Sequence, residues 1–267
     1  MDSQSPQSDL AVRVRTALML GVPALILLLV GGKVLVCVAL LVYAASNVEL
    51  YKVLHREHGG RALRAFALSL LLPVGYLADG DAGFQLAVGA CTLFAFIAVV
   101  LETRTTPPTY ETLFGPAVGL LLGGVIGSTI YIVADRASYS HEVLWLVLCV
   151  VASDVGAYFG GRHFGGSKLA IELSPKKTVS GAICGLAACA AVGVLGAELL
   201  ATGFGAWWAL YVSLIIGACS QVGDLAGSLV KRVYGVKDFG SLLPGHGGVL
   251  DRVVALMFAA QAYLIVR

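Results

Sequence analysis

The sequence predicts an all-α fold: a polytopic transmembrane helical bundle of about nine spans, with its N-terminus in the cytoplasm. Of the 267 residues, 58% are hydrophobic and only 13% are charged, and the mean hydropathy is +0.87. This composition is far from that of a soluble domain. Apolar runs of about 20 residues, the helical length that crosses a hydrocarbon core, recur along the chain.

Taken in order, the predicted elements form one integral membrane domain. Residues 1-15 are expected to be a disordered tail, because Ser, Gln and Asp dominate its start. Residues 16-140 form an N-terminal transmembrane region, and residues 141-267 form a C-terminal transmembrane region that contains the polar motifs. The predicted spans lie near 16-32, 34-50, 62-78, 83-101, 113-134, 143-161, 179-201, 206-226 and 249-266.

The distribution of positive charge predicts the orientation of these spans. If the N-terminus is cytoplasmic, only Lys33, Arg136 and Arg267 fall on the outer side, and every other lysine and arginine falls inside. The positive-inside rule favours this orientation. Both charged loops of the C-terminal region are therefore expected to face the cytoplasm.

Three features of the composition narrow the function classes. The 33 glycines suit close helix contacts in lipid, and membrane proteins rich in small residues often pair as homodimers. All six cysteines lie in apolar runs without the spacing of a metal site, so we expect them to be packing residues. The net charge is only +2 and the basic residues lie at membrane boundaries, which excludes a nucleic-acid-binding face.

The first polar segment runs from Ser153 to Thr178. On a helix, Asp154, Tyr158 and Arg162 share one face, which places a carboxylate within a span and an arginine at its cytoplasmic end. A glycine-rich turn and a Ser-Pro-Lys-Lys-Thr boundary follow. Backbone N–H groups and lysine ammonium groups can hold phosphate there, although glycine and lysine are also ordinary loop residues at a membrane face.

The second polar segment begins inside an apolar span. Its polar and small residues recur at helical spacing, so one narrow face presents two hydroxyls, a carboxylate, a glycine and an ammonium group. Charged groups inside a bilayer normally face a water-filled cavity and mark function, because their burial in lipid is costly. The residues on this face are Ser220, Asp224, Gly227, Ser228 and Lys231.

Three carboxylates, those of Asp154, Asp224 and Asp251, come from separate segments of the C-terminal region. If they converge at the cytoplasmic side, they form an oxygen site for Mg²⁺, which prefers a few carboxylates plus substrate phosphate oxygens. The alternative is structural pairing of each aspartate with a cation nearby in sequence. Those pairs are Asp154 with Arg162, Asp224 with Lys231, and Asp251 with Arg252.

A glycine-rich loop precedes Asp251. In Pro244-Gly-His-Gly-Gly248, His246 lies between glycines that permit positive φ and close approach of the backbone, as phosphate-binding turns require. The alternative is that His246 is an ordinary solvated loop residue. The flanking glycines favour a role for His246 in the functional site.

At this point the residues resemble a known family. The run Ser228-Leu-Val-Lys-Arg-Val-Tyr-Gly-Val-Lys-Asp-Phe-Gly-Ser-Leu-Leu-Pro-Gly-His-Gly-Gly-Val-Leu-Asp-Arg252 closely resembles the signature of the phosphatidate cytidylyltransferases, also called CDP-diacylglycerol synthases. The segment from Ser153 to Thr178 looks like the other recurrent block of that family. The resemblance covers about residues 150 to 255, and the earlier spans agree only in being hydrophobic.

The resemblance implies that CTP condenses with phosphatidate at the cytoplasmic face of the inner membrane, which releases pyrophosphate and yields CDP-diacylglycerol. It makes residues 141-267 the catalytic region and implies a divalent metal, usually Mg²⁺, with room for a second, monovalent cation. By position, the catalytic candidates are Asp224, Lys231 and Asp251, and the metal ligands are Asp224, Asp251 and Asp154. The substrate-binding candidates are Arg162, Lys168, Lys176, Lys177, Ser228, Arg232, Lys237, His246, Gly247, Gly248 and Arg252.

Two positions depart from the family pattern. A second aspartate and a serine usually follow the aspartate-arginine pair, whereas this chain has Val254 and Ala255. Val254 is three residues after Asp251, so a carboxylate is missing from the helix face that would bear the metal. Ser180 stands where a larger acidic or amide side chain is common.

These departures keep two alternatives open, a relative that uses another lipid-phosphate acceptor and an inactive paralogue. An ion-coupled transporter is the alternative from another class, but no internal repeat is visible and the charges cluster at one membrane face. The long aspartate motif of the CDP-alcohol phosphotransferases is not in the sequence.

Overall fold

The computed structural model describes residues 21–54, 74–75, 78–80, 83, 140–243 and 247–266. In this part of the chain the fold is mostly helical. The predicted span 113-134 and most of the predicted spans 62-78 and 83-101 lie outside the described residues. The elements are α1 (Gly21–Val30), α2 (Gly32–Leu54), α3 (Ser140–Phe164), β1 (Lys168–Ala170), β2 (Ser174–Thr178), α4 (Val179–Leu199), α5 (Ala206–Val233) and α6 (Leu250–Val266).

Four of the described helices are long and apolar enough to cross a membrane, which supports the prediction of a transmembrane helical protein. They are Gly32–Leu54, His141–Phe164, Val179–Leu199 and Ala206–Val233. Each coincides with a predicted span, and α6 coincides with the last one. The number of nine spans and the position of the N-terminus stay predictions.

The loop after α3 contains the only two β-strands in the described ranges. There, β1 pairs antiparallel with β2, with Lys168 opposite Thr178 and Ala170 opposite Ser174. Gly165 and Gly166 have φ of 59° and 94°, values that end α3 and that glycine adopts without strain. The glycine-rich turn of the sequence is therefore the entry to a small hairpin at the end of the bundle.

Glycines allow α3 and α4 to approach closely, as expected from the composition. A Cβ added at Gly181 would lie 2.7 Å from the carbonyl oxygen of Ala157, and one added at Gly185 would lie 2.7 Å from that of Ser153. Contacts as short as these exclude any larger residue. The α4 helix also packs against α5, and α5 packs against α6.

Two large apolar clusters stabilise the described bundle. One joins α2, α5 and α6 through residues that include Leu50, Val230 and Val254. The other joins α3, α4, α5 and α6 around Trp145, whose indole N–H donates to the carbonyl of Gly193 at 2.7 Å. The first cluster lies beside the charged residues and the second lies towards the opposite end.

Most polar contacts between elements lie at one end of the bundle, which we call the polar end. The C-terminal ends of α2, α3 and α5, the N-terminal ends of α4 and α6, and the β1–β2 hairpin meet there. Cross-element contacts establish this arrangement: Lys177 with Asp224, Arg232 with the carbonyl of Leu173, and Glu49 with the start of α6.

Candidate active site

The first ion pair of the polar end joins β2 to α5. Lys177 Nζ lies 3.0 Å from Asp224 Oδ2, and the side chains are 30% and 37% exposed, respectively. Lys177 immediately precedes Thr178, whose side-chain oxygen accepts from the N–H of Gly181 at 3.1 Å and so caps α4. The cap therefore fixes the backbone that presents this lysine.

Asp154 lies on the side of α3 that faces this pair. Its carboxylate is near enough to interact repulsively with Asp224 and attractively with Lys177. The convergence of Asp154 and Asp224 on one metal site stays a prediction. Arg162, the partner of Asp154 in the alternative hypothesis, instead donates to the Tyr158 hydroxyl at 3.2 Å.

The second ion pair joins α5 to α6. Lys231 Nζ lies 2.7 Å from Asp251 Oδ1, and the Asp251 side chain is only 4% exposed. The same ammonium group lies 5.4 Å from the ring centroid of Phe239, within the range of a cation–π contact. Lys231 therefore pairs across two helices rather than with Asp224 on its own helix.

Asp251 also organises the loop that precedes α6. Its Oδ2 accepts from the backbone N–H of Phe239 at 2.8 Å and from that of Gly248 at 3.0 Å. Gly247 has φ of 81°, and a Cβ there would lie 3.2 Å from Asp238 Oδ1 and 3.3 Å from Asp251 Oδ2. The carboxylate of Asp238, which sequence reasoning did not select, thus flanks the same glycine as Asp251.

Glu49 is a second residue that sequence reasoning missed. It lies near the end of α2, is only 6% exposed, and accepts from the N–H groups of Val249 and Leu250. A single acidic residue near the end of an apolar run looks like an ordinary membrane-boundary charge. Only its burial against a segment about 200 residues later distinguishes it.

Most of the remaining substrate-binding candidates lie at the surface of the polar end. Ser228 is half-buried and donates to the carbonyl of Asp224 at 2.9 Å, one helical turn earlier. Gly247 and Gly248 lie beside Asp251, whereas His246 falls outside the described residues. The exposed basic candidates are Arg162, Lys168, Lys176, Arg232, Lys237 and Arg252.

The donor set at Asp154 and Asp224 fits a divalent cation better than that at Asp251. In the described part of the chain, no three acidic, histidine or cysteine side chains gather closely enough to hold a metal ion. Asp224 uses only Oδ2 in its pair with Lys177, and Mg²⁺ normally completes its shell with substrate phosphates and water. Both oxygens of Asp251 already accept hydrogen bonds.

The sequence of nearly the whole chain decides its family. Residues 11–267 match the model of the cytidylyltransferase family. The chain belongs to the cytidylyltransferase family. The match includes α2 as well as the charged segments, so Glu49 lies within the family region.

Several bacterial relatives of this cytidylyltransferase-family chain are similar over most of their length. It is 38% identical to the phosphatidate cytidylyltransferase of Brucella suis over 255 residues, which cover 95% of this chain and 91% of the relative. It is 32% identical to that of Helicobacter pylori, with 86% and 87% covered. It is 31% identical to that of Staphylococcus haemolyticus, with 92% and 95% covered.

The two departures from the family pattern have distinct surroundings. Val254 is 5% exposed and belongs to the apolar cluster of α2, α5 and α6. Its methyl group lies 3.2 Å from the position of a Cβ added at Gly227. Ser180 donates to the carbonyl of Gly165 and contacts the Thr178 hydroxyl at 3.1 Å, so it ties the end of α3 to the start of α4.

Proposed function

We propose that this protein transfers the cytidylyl group of CTP to phosphatidate, giving CDP-diacylglycerol and pyrophosphate. The names and extent of the similar bacterial proteins support this reaction. The structural observation that carries it is the pair of lysine–aspartate contacts, Lys177 with Asp224 and Lys231 with Asp251. Asp224 and Lys231 are two turns apart on α5, about 10 Å, so the contacts flank one patch of the polar end.

The reaction is a displacement at phosphorus. A phosphate oxygen of phosphatidate attacks the α-phosphorus of CTP, the bond from that phosphorus to the bridging β-phosphate oxygen breaks, and pyrophosphate leaves with the bonding electrons. Phosphatidate is already an anion near neutral pH, so little base catalysis is needed. The task of the protein is to position two anions and neutralise their charge.

The lysines of the site suit this task. Lys177 and Lys231 are held near the patch by aspartates, and each can direct an ammonium group at a phosphate oxygen. The exposed basic side chains around them would attract the triphosphate and the lipid phosphate from the membrane surface. Ser228, His246 and the N–H group of Gly247 are the proposed neutral contacts to phosphate. Gly248, whose N–H donates to Asp251, would shape the turn.

We assign Mg²⁺ to the carboxylates of Asp154 and Asp224. Asp251 would join them as a further ligand only by exchanging one of its hydrogen bonds for the ion. When bound, the ion would neutralise phosphate charge and orient the triphosphate. Asp154 and Asp224 lie on different helices, so their separation depends on the packing of α3 against α5. A second, monovalent cation stays a proposal without a selected ligand set.

The proposed setting is the bacterial inner membrane, crossed by about nine spans, with the N-terminus and the polar end in the cytoplasm. The excess of lysine and arginine at the predicted cytoplasmic side supports this orientation. It would give the site access to CTP, and the membrane would supply phosphatidate.

The test is conversion of labelled CTP and phosphatidate into CDP-diacylglycerol by the purified protein in mild detergent, with and without Mg²⁺. We expect product that depends on Mg²⁺ in the parent and is reduced at least about 100-fold in Asp224→Asn and Asp251→Asn. Lysophosphatidate and a soluble alkyl phosphate serve as competing acceptors.

The outcomes separate the alternatives. Product only with another acceptor would assign a different lipid phosphate, and no product with any acceptor would contradict the proposal. Product in Val254→Asp but not in the parent would identify a decayed paralogue. Unchanged activity in Asp224→Asn would remove that carboxylate from the site.

A further inference from the structure

The carboxylate of Glu49 closes a contact between α2 and α6, the last described helix. Its Oε1 accepts from Val249 N at 3.0 Å and its Oε2 accepts from Leu250 N at 2.9 Å. Both donors lie at the N-terminus of α6, where backbone N–H groups lack partners within the helix. A negative charge there also complements the helix dipole. One side chain therefore satisfies two otherwise unpaired donors.

Two glycines make room for this carboxylate. A Cβ added at Gly240 or Gly248 would collide with the carboxylate oxygens of Glu49. Neither glycine has a positive φ, so backbone conformation does not require glycine at these positions. Glycine is required there because the Glu49 carboxylate lies so close. The loop is thus shaped to receive a carboxylate from α2.

Asp251 binds the same loop from the other side. It accepts from the N–H group of Phe239, the residue before Gly240. It also accepts from the N–H group of Gly248, one of the two glycines that contact Glu49. Its other oxygen pairs with Lys231 at 2.7 Å. Displacement of the loop or of the first turn of α6 would therefore move the second ion pair of the site.

We propose that Glu49 is a positioning residue: it clamps the N-terminus of α6 and the described ends of the preceding loop, Phe239–Gly240 and Gly247–Gly248, and thereby sets the place of Asp251 and Lys231. The inference rests on the proposed function for its catalytic consequence, but the clamp itself is a separate physical claim. It assigns a role in the site to the N-terminal half of the chain. Since the clamp does not contact phosphate in this arrangement, its loss should lower turnover more than substrate binding.

The first experiment compares Glu49→Gln and Glu49→Asp with the parent in full-length protein. Glutamine keeps the size of the side chain, but it offers only one acceptor oxygen and no charge, so one backbone donor loses its partner. We expect kcat to fall about 100-fold, as for a misplaced catalytic group, with KM for phosphatidate little changed. Aspartate, which keeps the charge, should restore part of the turnover.

Hydrogen exchange gives a readout that does not depend on the reaction. In Glu49→Gln, we expect faster amide exchange confined to the 239–250 segment, with peptides from α3 and α4 unchanged. The matched control is Glu142→Gln. Glu142 is also a carboxylate bonded to α6, through the Tyr263 hydroxyl at 2.7 Å, but it lies at the opposite end. This control should keep turnover and exchange of the 239–250 segment at parental values.

The results decide between the clamp and simpler roles. Parental exchange of the 239–250 segment in Glu49→Gln would overturn the clamp, as would faster exchange spread equally over the bundle. If exchange changes as expected but the parent makes no CDP-diacylglycerol, the clamp stands and the proposed function fails. Equal falls of kcat in Glu49→Gln and Glu142→Gln would show only a general effect on α6.

A second pair of variants covers the case in which Glu49→Gln does not fold. Gly240→Ala should lower turnover because its methyl group collides with Glu49. Glu49→Asp retracts the carboxylate by one methylene and so makes room for the added methyl group. The double variant Glu49→Asp/Gly240→Ala should therefore lose less turnover than the sum of the two single losses. Additive losses in this cycle would contradict a direct contact between position 240 and Glu49.

Discussion

The two ion pairs of the site differ in their exposure to water, and this difference separates their contributions to stability. Lys177 and Asp224 are each about one-third exposed, so water screens their attraction. Asp251 is 4% exposed and accepts three hydrogen bonds. Removal of Lys231 would leave a buried charge without its cation, which is strongly destabilising. The first pair is therefore free to exchange partners, whereas the second also supports the fold.

Val254 provides a test of whether the family aspartate can simply be restored. Because Val254 packs in an apolar cluster with Phe239 and Val230, a carboxylate there would be buried, and Lys231 of the adjacent helix already pairs with Asp251. We expect Val254→Asp to lower the free energy of unfolding by about 3 kcal/mol or more, measured by thermal unfolding in detergent.

The isosteric variant Val254→Thr is the control for that experiment. It adds a hydroxyl that can donate to a helix carbonyl, so its loss of stability should be much smaller. An unfolding midpoint of Val254→Asp equal to that of the parent would show that the position has access to water or to a cation.

At the scale of elements, hydropathy was sufficient to place the helices but not to pair their charges. The predicted spans 143-161, 179-201 and 206-226 coincide with α3, α4 and α5, because lipid burial demands long apolar runs. The β1–β2 hairpin was not predicted, since three- and five-residue strands containing proline and lysines leave no periodic signal. The ion pairs join residues 47 and 20 positions apart, a separation that local spacing cannot reveal.

The junction between β2 and α4 should depend on its cap. Thr178 is buried, accepts from the N–H of Gly181, and lies 2.8 Å from the position of a Cβ at Gly161. We expect Thr178→Ala to lower stability by about 1 kcal/mol and to reduce turnover by displacing Lys177. Thr178→Ser keeps the capping oxygen, so it should retain most of the stability and most of the turnover. Thermal unfolding and CDP-diacylglycerol formation measure these two properties. If alanine and serine variants behave alike, the hydroxyl does not position Lys177.

At the scale of the whole molecule, the two ends of the described bundle carry different chemistry. The polar end collects the lysine–aspartate pairs, the hairpin and Glu49. The other end has the aromatic contacts of Trp145 with Phe204 and Trp208, whose ring centroids lie 5.4 and 6.5 Å from that of Trp145. A water-soluble nucleotide can reach only one of the two ends in the cytoplasm. The orientation of the bundle therefore matters for function, and the proposed orientation rests on the charge distribution along the chain.

Site-directed labelling can measure this orientation directly. In a background with all six cysteines replaced by alanine, we would introduce Lys168→Cys in the hairpin or Ala201→Cys between α4 and α5. Both positions are exposed, and α4, with 21 residues, separates the two ends by about 30 Å. A membrane-impermeant maleimide should label position 168 only in inside-out vesicles and position 201 only in right-side-out spheroplasts. The reverse pattern would place the ion pairs outside, away from CTP, and would overturn the proposed topology. Labelling of both positions from one side would instead mean that α4 does not cross the membrane.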